Sequence, residues 1–262
     1  MEPIWTTPAI ALATAVGLMT AVWIVSVFKR DVSIIDVFWG PGFVVLGWVY
    51  FALGDASTAR RALVAVLVTL WGLRLAVHIL WRARGRGEDY RYREMRAQHG
   101  PSFTWVSLFS VFWLQALILW AVSLTLYQAQ RSATPAALTW IDAVGLTFFA
   151  TGFFFESVGD WQLARFKSDP ANRGRLLTAG LWRYTRHPNY FGDALVWWGF
   201  FFFALATPAS LWTSYSPVLM TFLLMRVSGV ALLEKKLAKT KPGYEAYVAR
   251  TNAFFPWFPG TG

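Results

Sequence analysis

The stretch GLWRYTRHPNYFGD, residues 180–193, decides the fold, because it runs from a basic loop straight into an apolar segment. Arg183, Arg186 and His187 stand just before Pro188, and residues 189–203 read as helix. Proline is favoured at the first helical position, where the N–H it lacks would have had no partner. Arginines beside a helix N-terminus make a place to hold an anion, since free N–H groups and the helix dipole point at it. Asn189, Asp193 and Trp197 follow at four-residue steps, which carries polar groups up one helical face. An ordinary membrane anchor has the basic residues and the apolar run. It has no use for Asn189 and Asp193 inside that run.

Outward from this stretch, seven apolar segments approach the roughly 20 residues that a bilayer-spanning helix needs. They cover 6–28, 33–53, 61–81, 103–128, 139–163, 189–207 and 211–233, rich in Leu, Val, Phe, Trp and Ala, without strand alternation. The chain is 56% hydrophobic and 15% charged, with 16 Trp and 22 Phe, more apolar than a soluble domain of 262 residues requires. The expected fold is therefore an all-α integral membrane protein of seven transmembrane helices, a single domain over 1–262. A short cytoplasmic helix is expected after Glu234. The first run has no basic region before it and continues to Phe28, so it reads as a span and not as a cleaved signal peptide.

The loops sort by charge. Nineteen of the 24 Lys and Arg fall in the first, third and fifth loops and the tail, against Arg60, Arg61 and Arg131 on the other side. The positive-inside rule then puts the N-terminus outside and the C-terminus in the cytoplasm. That distribution accounts for the net charge of +10 and removes nucleic acid as a partner. The absence of cysteine removes disulfides, zinc fingers and thiol nucleophiles.

Ionisable groups inside a bilayer are expensive unless paired or wetted, so each is a functional candidate. They are Asp36, Arg74, His78, Glu156, Asp160, Asp193, Arg226 and Glu234, all in the cytoplasmic halves of their segments. Arg74/His78, Glu156/Asp160 and Asn189/Asp193 are pairs four residues apart, so each helix can turn a polar face inward. Polar groups from five helices at one depth imply a wet cavity open to the cytoplasm. The plainer alternative is that carboxylates and arginines pair as interhelical glue. Gly40, Pro41 and Gly42 after Asp36 are expected to loosen the helix at the carboxyl, as irregular backbone lining a cavity does. There is no Gly-rich nucleotide loop and no metal-ligand spacing. A basic rim above acids and amides suits a dinucleotide such as NADPH, with phosphates on arginine and ribose or carboxamide donors on carboxylate and Asn.

Residues 180–193, with EKKL at 234–237, PGYEAY at 242–247 and FFPWFP at 254–259, resemble the steroid 5-alpha-reductase family in its bacterial branch. The match covers the whole layout and is most specific over 153–259. It implies an integral enzyme of the bacterial inner membrane, its active site facing the cytoplasm. NADPH would there reduce a carbon–carbon double bond conjugated to a ketone, typically in a 3-oxo-Δ4 steroid that enters from the bilayer. Asn189, Tyr190 and Asp193 fall on the family's cofactor motif, Asp160 and Lys167 on its fifth-span contacts, and Arg226 on its seventh-span arginine. Glu156, Arg173, Arg175, Arg186, His187 and Glu234 complete the expected cofactor set, no metal is expected, and the protein is expected to act as a monomer.

The family's catalytic Gln-Glu pair aligns with Ile35-Asp36, and its third-span tyrosine with Trp71. Asp36 is therefore the expected catalytic acid, kept neutral to donate to the ketone oxygen, with the Trp71 N–H assisting. The Arg-His-Pro pattern also occurs in S-adenosylmethionine-dependent membrane methyltransferases of prenylcysteine or phospholipid, the second reading. A non-catalytic lipid-binding protein is the third.

Overall fold

The computed structural model describes residues 5–54, 58–227 and 230–260; they are helical, with no strand among them. Two compact units form. The first runs through Leu138 and adds Ala204–Thr213; the second comprises Thr139–Phe203 and the chain from Ser214 on.

The first unit contains α1 (Thr6–Lys29), α2 (Ile34–Leu53), α3 (Ala59–Ala83), α4 (Tyr90–His99), α5 (Phe103–Ser107) and α6 (Leu114–Arg131). A 3₁₀ turn at Gly100–Ser102 and a π-helical turn at Leu108–Trp113 keep α4, α5 and α6 in one continuous run. Local chemistry sets the starts: the Thr58 hydroxyl accepts from the Arg61 N–H, and the Asp89 carboxylate from that of Arg91. Two arginines at the start of α3 turn inward as caps. Arg60 is buried and donates to the carbonyls of Pro135 and Ala137, and Arg61 to that of Phe51.

The expectation that Gly40, Pro41 and Gly42 loosen α2 is not met: the helix runs unbroken through Pro41. Gly40 instead faces Gly72 of α3 so closely that a Cβ on either would collide with the other's carbonyl. Small residues let membrane helices meet backbone to backbone, and that is their use here.

The second unit contains α7 (Trp140–Ser168), α8 (Pro188–Leu205), α9 (Tyr215–Phe222), α10 (Val230–Thr240) and α11 (Tyr244–Arg250). Thr139 and Asp142 form a reciprocal capping box that starts α7. Pro188 opens α8. The two helices are antiparallel and set by glycine: Gly145 meets Gly199, Gly152 meets Gly192, and Gly159 meets Pro188 and Asn189. Five helical runs are long and apolar enough to cross a membrane among the described residues: α1, α2, α3, the run Tyr90–Arg131, and α7. Two of the seven apolar segments fall outside this set. Asn189 and Asp193 dilute the start of α8, and the last segment breaks into a 3₁₀ turn, α9 and a π-helical turn at Leu223–Val227.

Candidate functional site

In the second unit, the glycine contacts bring the last turns of α7 against the first turns of α8. Glu156 and Asp160 lie on one face of α7, Asn189 and Asp193 on one face of α8, and the three carboxylates are all buried. The Asn189 amide donates to Asp160 Oδ1 at 3.0 Å. Its carbonyl oxygen is buried with no hydrogen-bond partner among the described residues. A buried amide acceptor without a donor costs about 1–3 kcal/mol, so this oxygen is an open place for an N–H or O–H group of a ligand. Gly192 packs on the α7 backbone at Glu156, which sets the neighbouring Asp193 beside that turn.

Arg186, His187 and Glu234 form a separate cluster. The Arg186 guanidinium is buried and holds Glu234 Oε1 through Nε at 2.8 Å and Nη2 at 2.7 Å; its Nη1 donates to the carbonyls of Val248 and Thr251. His187 Nε2 lies 3.3 Å from the same carboxylate, and its ring stacks on Tyr190 at 5.7 Å. The Arg186 N–H donates to the Asn252 carbonyl, and the Thr185 hydroxyl to those of Ala253 and Phe254. The residues read as an anion grip thus fasten the C-terminal segment to the start of α8. Lys167, Arg173 and Arg175 are exposed in and after the last turn of α7, and Arg226 is exposed in its π-helical turn.

In the first unit, Asp36 is not the isolated acid that the sequence suggested. Its Oδ2 takes Arg91 Nη2 at 2.8 Å and its Oδ1 takes the Tyr92 hydroxyl at 2.9 Å. Both oxygens accept, which is the role of a carboxylate. Trp71 is fully buried in α3, its ring 5.7 Å from that of Phe43. Neither Arg91 nor Tyr92 was found from the sequence as a partner for Asp36. The signal was present, because a carboxylate one turn inside an apolar helix requires a donor, and Asp89 starts the next polar helix.

Beside this cluster, Glu88 accepts from the Val32 N–H at 2.9 Å and pairs with Arg96 at 2.7 Å. Burial alone would raise its carboxyl, but the Arg96 and Val32 hydrogen bonds outweigh it and hold the group below the ordinary value of 4.5. A depressed carboxyl adds stability that is present above the ordinary value and lost as pH falls through the folded one. Glu88→Gln is therefore expected to flatten the acid limb of a melting-temperature profile below about pH 4.5, while leaving the neutral limb parallel to wild type. An unchanged acid limb would remove this ion pair from the account.

The fold and its buried polar clusters define an all-helical protein with several helices suited to a membrane. Residues 22–251 match the model of the family described as "Protein of unknown function (DUF1295)", and the chain belongs to that family. It is similar to an uncharacterized protein of Schizosaccharomyces pombe (strain 972), 29% identical over 273 residues that cover 93% of this chain and 78% of that protein. No solved structure matches.

Proposed function

We propose that the protein is an NADPH-dependent reductase of a carbon–carbon double bond conjugated to a ketone, in the manner of a steroid 5-alpha-reductase. We further propose that α8 and the segment from Leu211 complete seven spans. The N-terminus is then outside, the C-terminus cytoplasmic, and the membrane the inner membrane of a bacterium. The observation that carries this reading is the Asn189 amide, fixed to Asp160 on one side and open on the other. An amide in that state fits the carboxamide or ribose hydroxyls of a dinucleotide, and the exposed Lys167, Arg173 and Arg175 supply cations for its phosphates.

NADPH, when bound, supplies a hydride. Asn189, Asp160 and Asp193 hold and orient its donors, and the basic residues after α7 neutralise its phosphates. Asp36, with Tyr92 beside it in the first unit, is the proposed acid for the ketone. Tyr92 gives its one O–H to Asp36; turned instead to a ketone oxygen that gains negative charge as the β-carbon is reduced, that O–H is the donor that lowers the barrier. Water protonates the α-carbon.

The test is melting temperature of the purified detergent-solubilised protein with NADPH, NADH and S-adenosylmethionine in turn. A ligand that binds only the folded state stabilises by about 2.7 kcal/mol at a hundredfold over Kd. NADPH is expected to raise the midpoint, and Asn189→Ala, Asp193→Ala and Arg173→Ala to weaken that shift. A shift with S-adenosylmethionine alone would transfer the site to the methyltransferase reading. Asp36→Ala is expected to remove turnover of an enone, by about a hundredfold or more, while NADPH protection persists.

A further inference from the structure

The last turns of α7 carry two different faces. At 100° per residue, Glu156, Asp160 and Lys167 share one side, and Trp161, Gln162, Arg165 and Phe166 occupy the other. On that other side a cleft of about 540 Å³ opens against the turn at Asp169 and Asn172 and the segment Leu177–Gly180. Its walls are fixed from within. Gln162 Oε1 accepts from the Leu181 N–H at 3.0 Å, and Asn172 Nδ2 donates to the Phe166 carbonyl at 3.1 Å. Asp169 accepts from the Ala171 N–H at 2.9 Å. Gly180 has a left-handed φ of 63° and lies so close to the Gln162 amide that a side chain there would displace it.

What the cleft offers outward is Arg165, exposed, with its guanidinium 5.5 Å above the exposed Trp161 ring. No ion pair engages that guanidinium among the described residues. Two turns back, Phe154 is also exposed on the same face, so an apolar strip of a membrane-length helix leads straight to the cation. Tryptophan and arginine at the end of such a strip are the usual partners of a lipid headgroup.

We propose that this cleft binds one anionic phospholipid, its phosphodiester on Arg165 and its acyl chains along Trp161 and Phe154. The site goes beyond the reductase reading and lies on the side of α7 opposite Glu156, Asp160 and Lys167. Asp169 at the rim excludes a second close anion and favours a single charge on the headgroup.

The experiment is a lipid titration of the delipidated, detergent-solubilised full chain by native mass spectrometry. The probes are phosphatidylglycerol, phosphatidylcholine and inorganic phosphate. Wild type is expected to retain one tight phosphatidylglycerol, with phosphatidylcholine weaker and inorganic phosphate unable to displace it. Arg165→Ala is expected to lower that affinity about tenfold or more, Trp161→Ala to lower it less, and Arg165→Lys to keep part of it. Arg84→Ala, exposed on another loop, serves as the control and is expected to match wild type. Both substituted residues of the cleft are on the surface, so the folded state survives and the melting shift with NADPH is expected to be unchanged. Equal lipid retention by the Arg165→Ala/Trp161→Ala double variant would overturn the proposal. Displacement of the lipid by NADPH or phosphate would also overturn it, by making the cleft a nucleotide site. The reductase reading stands or falls on the NADPH shift in wild type, and so fails separately.

Discussion

Gly192→Val is expected to leave little folded protein. A Cβ at this position would collide with the backbone N of Glu156 and stand 2.5 Å from the carbonyl oxygen of Gly152. Both are main-chain atoms of a helix, so no side chain can swing aside. Relief requires α7 and α8 to separate, which opens their other glycine contacts and pulls Asn189 away from Asp160. Overpacking in a close-packed interior typically costs about 1–3 kcal/mol even where side chains can adjust. With backbone on both sides, the loss approaches the roughly 5–15 kcal/mol that holds a domain together. The measurement is the monodisperse fraction and melting temperature after detergent extraction, beside Gly17→Ala in α1, where nothing lies within 4 Å of an added Cβ. The α1 variant is expected to behave as wild type or slightly better, because alanine favours helix by about 1 kcal/mol over glycine. Wild-type stability of Gly192→Val would contradict the close crossing.

Arg186→Ala has the second large expected effect, and it separates two uses of one residue. Removing the guanidinium leaves Glu234 without its main partner and the carbonyls of Val248 and Thr251 without their donor. Breaking a buried ion pair costs about 3–5 kcal/mol, and because the Glu234 side chain is still 25% exposed the lower end applies. The structure therefore predicts release of the C-terminal segment, seen as faster tryptic cleavage at Lys239, Lys241 and Arg250. Arg186→Lys is not expected to rescue it, since an ammonium lacks the planar fork that meets a carboxylate and two carbonyls together. A variant that keeps the tail protected and loses only NADPH protection would return Arg186 to the anion-gripping role that its place before Pro188 first suggested.

The start of α8 at Pro188 was legible in the sequence because proline, the preceding basic residues and the apolar run are all local signals. The polar faces of α7 and α8 were legible because helical periodicity alone places Glu156 with Asp160 and Asn189 with Asp193. Partner choice was not. Arg186 finds Glu234 across 48 residues, and Tyr92 finds Asp36 across 56, and no local pattern encodes such distances. Gly40 illustrates the same limit. Next to proline it reads as a weak point in its own helix, and only the presence of Gly72 on α3 shows that it serves packing. The last apolar segment was read as one helix from its composition, whereas the π-helical turn at Leu223–Val227 interrupts it.

The spacing of the α7 and α8 glycines has a consequence for how this chain tolerates insertions and deletions. Gly145, Gly152 and Gly159 recur every seven residues, as do Gly192 and Gly199, so the two helices mesh like racks with a tooth every second turn. A heptad returns an α-helix to within about 20° of the same face, so a change of seven keeps the mesh where both helices change together; in one helix alone it slides Asp160 about 10 Å along the axis from Asn189. A single added or lost residue between Gly145 and Gly159 rotates the rest of α7 by about 100°. The teeth beyond that point would then meet side chains, and Asp160 would turn away from Asn189. Length variation among relatives is accordingly expected to arrive as matched heptads in the two helices, and freely only in the loop between Ser168 and Pro188.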